Sequence, residues 1–153
     1  MIVELAVTDA QVDACYPAMR ELRPHIDAQQ FVSIVRDLQR DGYMLAALIV
    51  DGRVTAVAGF RIKRTLFCDT FLYVDDLATL STEQSKGRGK VLLNWLREYA
   101  GAAHCADIRL DSGLQRINAH RFYERNGLES TALHFREILD RRVPWSALPS
   151  LAT

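Results

Sequence analysis

The sequence predicts an α/β (α+β) chain, a mixed and mostly antiparallel sheet flanked by helices, with the element order β-α-α-β-β-β-α-β-α-β. Three observations carry this. Two helical stripes precede residue 43, the apolar period then changes to that of strands for three consecutive runs, and helix and strand patterns alternate afterwards.

Residues 2–7, "IVELAV", alternate as a short strand, and Thr8 with Gln11 forms a capping box that opens a helix. Val12, Cys15, Tyr16, Met19 and Leu22 keep the spacing of one buried face over a helix of residues 9–22, which Pro24 ends. Asp27 with Gln30 repeats the cap signal. Phe31, Ile34, Val35 and Leu38 then stripe a second helix, 27–41, that stops near Gly42. "YMLAALIV", the turn "DGR" and "VTAVAGFRI" read as a hairpin, with Asp51-Gly52 as its tight turn, and "DTFLYVDDLATL" continues the meander. Val91, Leu92, Trp95, Leu96 and Tyr99 form a broad helical stripe ending at Gly101. "HCADIRLD" is then a strand, "QRINAHRFYERNG" a short helix closed by Asn126-Gly127, and "LESTALHFREIL" a last strand. Residues 1–139 make one domain. Residues 140–153, with Trp145 flanked by Pro144 and Pro149, form an extended tail packed on it or at an oligomer interface.

At 153 residues a single core suffices, and 49% hydrophobic with 25% charged residues is the composition of a globular chain. Nineteen basic residues balance nineteen acidic ones, so no overall field recommends nucleic acid or an anionic membrane as partner. Cys15, Cys68 and Cys105 are odd in number and dispersed in apolar patterns, which reads as buried free thiols rather than a disulfide framework or zinc site. His25, His104, His120 and His134 show no metal-like spacing, and no metal is expected. The start has no basic segment leading into a long apolar one, and no apolar run approaches the ~20 residues of a bilayer span. The expected location is the cytoplasm.

The segment "EQSKGRGKVLL", residues 83–93, sits at a strand-to-helix junction. A helix N-terminus has four N–H groups without intrahelical partners and about half a positive charge, so it attracts anions. Gly87 and Gly89 would let a pyrophosphate approach those donors, and Lys86, Arg88 and Lys90 would add charge at the rim. A strand-to-helix turn also needs glycine for positive φ alone. The P-loop pattern fails, because Gly89-Lys90 is followed by Val91 and has no glycine five residues before it. The dinucleotide fingerprint fails as well, because Leu92 stands where its third glycine belongs.

What matches is Q/R-x-x-G-x-G/A, with Gln84, Gly87 and Gly89 in register. This resembles the GNAT superfamily of acyl-CoA-dependent N-acyltransferases. "ATLSTEQSKGRGKVLLNWLREY" looks like that family's motif A, and "NAHRFYERNGL" like its motif B, with Leu128 where an aromatic is usual. The element order is also that of the family fold, so the likeness covers residues 2–138.

The resemblance implies a direct transfer of acetyl from acetyl-CoA to a primary amine of a small molecule or peptide. By it, Leu77, Ala78 and Thr79 hydrogen-bond the pantetheine arm through their backbone. The loop of Gln84, Ser85, Lys86, Gly87, Arg88, Gly89 and Lys90 holds the pyrophosphate. Asn118 meets the pantetheine or the helix end. Tyr123 lies beside the cofactor sulfur and protonates the departing thiolate, a charge that a nearby O–H donor stabilises. The amine, with a reference pKa of about 10, needs a base. On the strand before motif A, Tyr73, Asp75 and Leu77 should share one face, and Val74, Asp76 and Ala78 the other. Asp75 is the first choice of base, with Asp76 and Glu83 as alternatives; a bulge in this strand would change the faces. Glutamate-using relatives carry their base where this chain has Tyr73. Acidic residues here would also attract a cationic amine. A homodimer is common among such proteins. The competing reading is an acyl-CoA sensor of the same fold without turnover.

Overall fold

Thr8 opens the first helix as its sequence dictates: its hydroxyl accepts from the Gln11 N–H while the Gln11 side chain accepts from the Thr8 N–H. The structure, a computed structural model, describes residues 1–140. Strand β1 is Ile2–Leu5, and the expected helix over 9–22 is two helices, α1 (Asp9–Ala14) and α2 (Tyr16–Leu22). The break is at Cys15, two residues before Pro17. Proline has no N–H for the carbonyl four residues back and its ring clashes there, so it fits only where a helix starts afresh. Helix α3 (Ala28–Arg40) is capped by Asp27, whose carboxylate accepts from the Gln29 N–H at 2.7 Å.

Strands β2 (Met44–Val50), β3 (Arg53–Thr65) and β4 (Asp69–Thr79) follow as the expected meander, and Asp51 and Gly52 both take positive φ at its first turn. Helix α4 (Arg88–Ala102), strand β5 (Ile108–Leu110) and helix α5 (Ile117–Arg125) complete the described elements. The five strands lie in sequence order, antiparallel except for the parallel pair β4–β5.

Helices cover both faces of this sheet. On one, Val12, Met19, Phe31 and Val35 of α1–α3 bury against Leu45, Val57 and Ala78. On the other, Leu92 and Leu96 of α4 bury against Phe60, Leu72 and Val74. The period of two in β3 accounts for the division, since Val57 and Ala58 point to opposite layers.

Two expectations fail for physical reasons. The strand expected over 128–139 is not formed: that stretch has no regular structure, and Leu133, Phe135 and Leu139 are exposed. Strand β5 is only three residues long, and so short an edge offers too few ladder bonds to offset the ordering of a twelve-residue segment, at ~1 kcal/mol or more per residue. The tail around Trp145 lies outside the described residues.

The face assignment in β4 also changes. Gly59 of β3 pairs with Asp76, yet the next residue, Phe60, pairs with Val74, so Asp75 is an extra residue in a β-bulge. Beyond it the alternation reverses. Leu77 packs with Val74 in the α4 core rather than with Asp75, while Asp76 joins Tyr43 and Ala78 on the α1–α3 face. Asp76 is buried there and accepts from the Tyr43 hydroxyl at 2.7 Å and from Arg23, at the end of α2, at 2.8 Å. A Cβ on Gly59 would overlap both the Tyr43 hydroxyl and the Asp76 carboxylate. Gly59→Ala should therefore lower stability by about 1–3 kcal/mol, the usual range for overpacking. Urea denaturation measures this, and an unchanged midpoint would show that the network yields freely.

Candidate active site

The ladder between β4 and β5 covers Leu72–Val74 against Ile108–Leu110, with an isolated bridge residue, Ser112, beyond it. Strand β4 then runs on through Asp75–Thr79 without β5 beside it, so the two strands make a fork. Leu77, Ala78 and Thr79 form the β4 arm, and the groups aimed away from β3 face the opening. The chain leaves Thr79 through a short turn at Ser81–Glu83 and reaches α4 through residues 84–87, so the fork opens beside the N-terminus of α4.

The loop geometry suits an anion there. Ser85 and Gly87 both take left-handed φ, 62° and 76°. Gly87 is the N-cap of α4 and no side chain caps that end, which leaves its first-turn N–H groups for a ligand. The two glycines do different work. Gly87 has open space around it and is favoured by its backbone conformation, whereas Gly89 sits close under a side chain: a Cβ there would lie 3.2 Å from the ring of Phe122, a tight contact that larger side chains would turn into a clash. Phe122 thus fixes α5 against the start of α4. Gln84, Ser85, Lys86 and Lys90 are exposed around the loop. Lys86 and Arg88 both bond Glu83, each at 3.0 Å, and these hydrogen bonds hold the Glu83 carboxyl below its usual range. Glu83 is engaged by the loop's own cations, which sets it apart from a free base.

On α5, Asn118 is exposed at the first turn and Tyr123 is buried, with its phenol pushed up to about 12 by burial. Such a phenol keeps its proton at neutral pH. On the α1–α3 face, Asp75 is half-buried and accepts from Arg61 at 3.2 Å. Burial raises its carboxyl above the usual range, Arg61 opposes the shift and Asp76 adds to it. Asp76 is fully engaged by Tyr43 and Arg23.

Sequence reasoning missed one cluster. The Tyr73 hydroxyl donates to Asp111, just past β5, at 2.5 Å; His134 Nδ1 lies 3.4 Å from the same carboxylate oxygen; and the Lys63 ammonium sits 4.2 Å from the Tyr73 ring centre. Only the parallel pairing of β4 with β5 brings Tyr73 and Asp111 together, and nothing in their 38-residue separation signals it. With Arg23, Arg61 and Lys63 beside these carboxylates, the face is not the acidic patch expected for attracting a cation. A separate cavity of about 320 Å³ lies between α1, α2 and the sheet, lined in part by Ala14, Pro17, Ala47 and Val54, and none of the expected site residues lines it.

A forked β4–β5 pair that opens onto an uncapped helix N-terminus is the arrangement that the resemblance to the GNAT superfamily implies. The family model "Acetyltransferase (GNAT) family" matches residues 8–128, and the chain belongs to this family of N-acetyltransferases. The chain is 34% identical over 124 residues, 80% of its own length and 87% of the relative's, to the uncharacterized N-acetyltransferase YhdJ of Bacillus subtilis (strain 168). Its fold is similar to that of a GNAT family acetyltransferase from Staphylococcus aureus, with a TM-score of 0.76 and 20% identity over 90% of this chain and 98% of that one. It is similar also to AAC(6')-Iy in complex with a CoA-containing bisubstrate analog, with a TM-score of 0.72 and 15% identity over 90% and 97%. No described helix is long and apolar enough to cross a membrane.

Because Gly87 is held at positive φ in open space, Gly87→Ala should cost about 1–2 kcal/mol through backbone strain alone. Thermal or urea unfolding tests this; no loss would mean that the loop relaxes to another conformation.

Proposed function

We propose that this acetyltransferase uses acetyl-CoA and transfers its acetyl group directly to a primary amine. The observation that carries the reading is the fork itself: over Leu77–Thr79 the edge of β4 away from β3 has no β5 partner, and this edge leads to the uncapped start of α4. A coenzyme with an amide-bearing arm and a pyrophosphate matches that fork, the arm on the β4 edge and the phosphates on the N–H groups from Gln84 to Lys90. Asn118, on the exposed side of α5, extends this rim. The thioester supplies an activated acetyl group, and the residues of the chain hold, orient and exchange protons around it.

Tyr123 is the proposed acid. Its phenol holds its proton at neutral pH and is placed on the helix that packs against the loop, where it would give that proton to the departing thiolate. Asp75 is the proposed base, at the bulge where the strands part, and its raised carboxyl is more basic than an ordinary aspartate. Direct transfer asks mainly for two substrates held in register, which a small domain can provide.

The decisive assay is release of CoA thiol from acetyl-CoA with a panel of primary amines. Turnover supports the proposal, and binding of CoA with no turnover for any amine supports a sensor instead. Gly89→Val should weaken CoA binding by displacing Phe122 and the first turn of α4, and unchanged affinity by calorimetry would sink the cradle. Tyr123→Phe should lower kcat roughly 10- to 100-fold, the lower range for general acid catalysis, with little change in CoA affinity. Asp75 must be deprotonated to act, so kcat/KM should rise with pH through a carboxyl value above the ordinary ~3.9. Asp75→Asn should remove that rise, and an unaltered pH profile would exclude Asp75 as the base.

A further inference from the structure

The Tyr73–Asp111 pair is the chemistry that this reading does not use, and it stands where β4 and β5 part. Tyr73 is in the last stretch paired with β5, Asp111 is the first residue beyond the paired part of β5, and the hydrogen bond between them closes the base of the fork. Asp75, two residues along β4, lies on the same face: Arg61, the β3 partner of Tyr73, reaches the Asp75 carboxylate. All three side chains are half-buried rather than sealed, and Asp75 and Asp111 keep 26% and 34% of their side-chain surface exposed. From Thr79 back to Val74 the β4 arm extends ~17 Å at ~3.3 Å per residue, and these residues stand at its inner end.

A phenol ordinarily offers both an O–H donor and an acceptor oxygen. Here the proton of Tyr73 is committed to the Asp111 carboxylate, and an O–H···O bond of this length is strong and directional. With its proton so committed, the Tyr73 oxygen has only acceptor capacity left. Lys63 packs on the face of the ring and Arg61 is drawn to Asp75, so neither supplies a competing proton to be shared in line with that oxygen.

Resting on the amine reading, we propose that Tyr73, polarised by Asp111, is an acceptor-binding residue that selects a primary amine over an alcohol. Tyr73 Oη and the Asp75 carboxylate present two hydrogen-bond acceptors at the base of the fork. A neutral primary amine donates one N–H to each and keeps its lone pair for attack on the acyl carbon. An alcohol of the same shape has one O–H, satisfies only one acceptor and leaves the other desolvated without a partner. Asp111 acts through Tyr73 and is a positioning residue.

The test uses the full chain with acetyl-CoA and two matched pairs, 2-phenylethylamine with 2-phenylethanol and butylamine with butanol, on wild type, Tyr73→Phe, Asp111→Asn and Asp111→Glu. The ring and its contact with Lys63 survive in Tyr73→Phe, and circular dichroism checks folding of each variant. Tyr73→Phe should lower kcat/KM for the amines by about tenfold or more, the value of one hydrogen bond to a polar partner, and narrow the amine-to-alcohol ratio. KM for acetyl-CoA should stay within about twofold if the residue contacts only the acceptor. Asp111→Asn should narrow the same ratio, and Asp111→Glu should restore part of it. Calorimetric binding of 2-phenylethylamine to the CoA-loaded protein should weaken in Tyr73→Phe, a readout that needs no turnover. Amine transfer with an unchanged ratio in both Tyr73→Phe and Asp111→Asn overturns this inference and leaves the proposed function standing. A wild type that neither acetylates nor binds any amine of the set overturns both.

Discussion

The buried carboxylate of Asp76 is the constraint on which the rest of the site depends. It joins Tyr43 at the head of β2, Arg23 at the end of α2 and its own strand β4, and the Arg23 guanidinium also bonds the Asp75 carbonyl at 3.0 Å. The network is costly to break by halves, because removing one partner leaves another buried without compensation, at about 3–5 kcal/mol for a buried ion pair. It can exist only because Gly59 has no side chain. It also fixes the bulge: Asp76 cannot turn toward α4 without abandoning both partners, so the extra residue, Asp75, is forced out at the place where the strands part.

The geometry of the fork follows from that restraint together with two others. Helix α4 packs on β3 and β4 through Leu92 and Leu96, which sets where its N-terminus points. Phe122 fills the space above Gly89 and ties α5 to the same helix end. The fork is thus bounded by a packed helix on one side and a three-residue strand on the other. Its open edge arises because β5 ends at Leu110 while β4 stays paired with β3 through Thr79 before the chain turns toward α4.

Local chemistry was legible in the sequence wherever a short segment decides its own conformation. The Thr8–Gln11 box, the Asp27 cap and the Asp51-Gly52 turn each satisfy backbone groups within a few residues, and each is present. The same rule should have flagged Pro17, whose missing N–H splits the first helix as firmly as Pro24 was expected to end it. The phosphate-type loop was legible as a helix start with paired glycines, although the pattern could not divide their duties between backbone conformation at Gly87 and packing at Gly89. What a period of two cannot contain is a bulge, so Leu77 was grouped with Asp75, and Asp76 and Ala78 with Val74, whereas the bulge puts Leu77 with Val74 and keeps only Asp76 and Ala78 together. Long-range pairs such as Tyr73 with Asp111 and Tyr43 with Asp76 exist only once the strand order is known. The segment 128–139 shows the opposite error: alternation describes a chain able to form a strand, and a strand also needs an edge long enough to receive it.

The charges around the fork are as balanced as those of the whole chain. Asp75 faces Arg61, Asp76 faces Arg23, and Asp111 holds Tyr73, whose ring carries Lys63, so carboxylates and cations match on this face as the 19 acidic and 19 basic residues do over the whole chain. A neutralised cleft exerts little long-range pull on a cationic amine, and recognition must come at contact distance. At contact distance the sign of charge matters less than which atoms carry protons. Arg61 and Asp111 each commit one partner's hydrogen-bonding capacity, which leaves acceptor capacity on the Tyr73 and Asp75 oxygens. An acceptor is then distinguished by how many N–H bonds it can direct at once, a property of geometry that neither the balanced composition nor the family fold specifies.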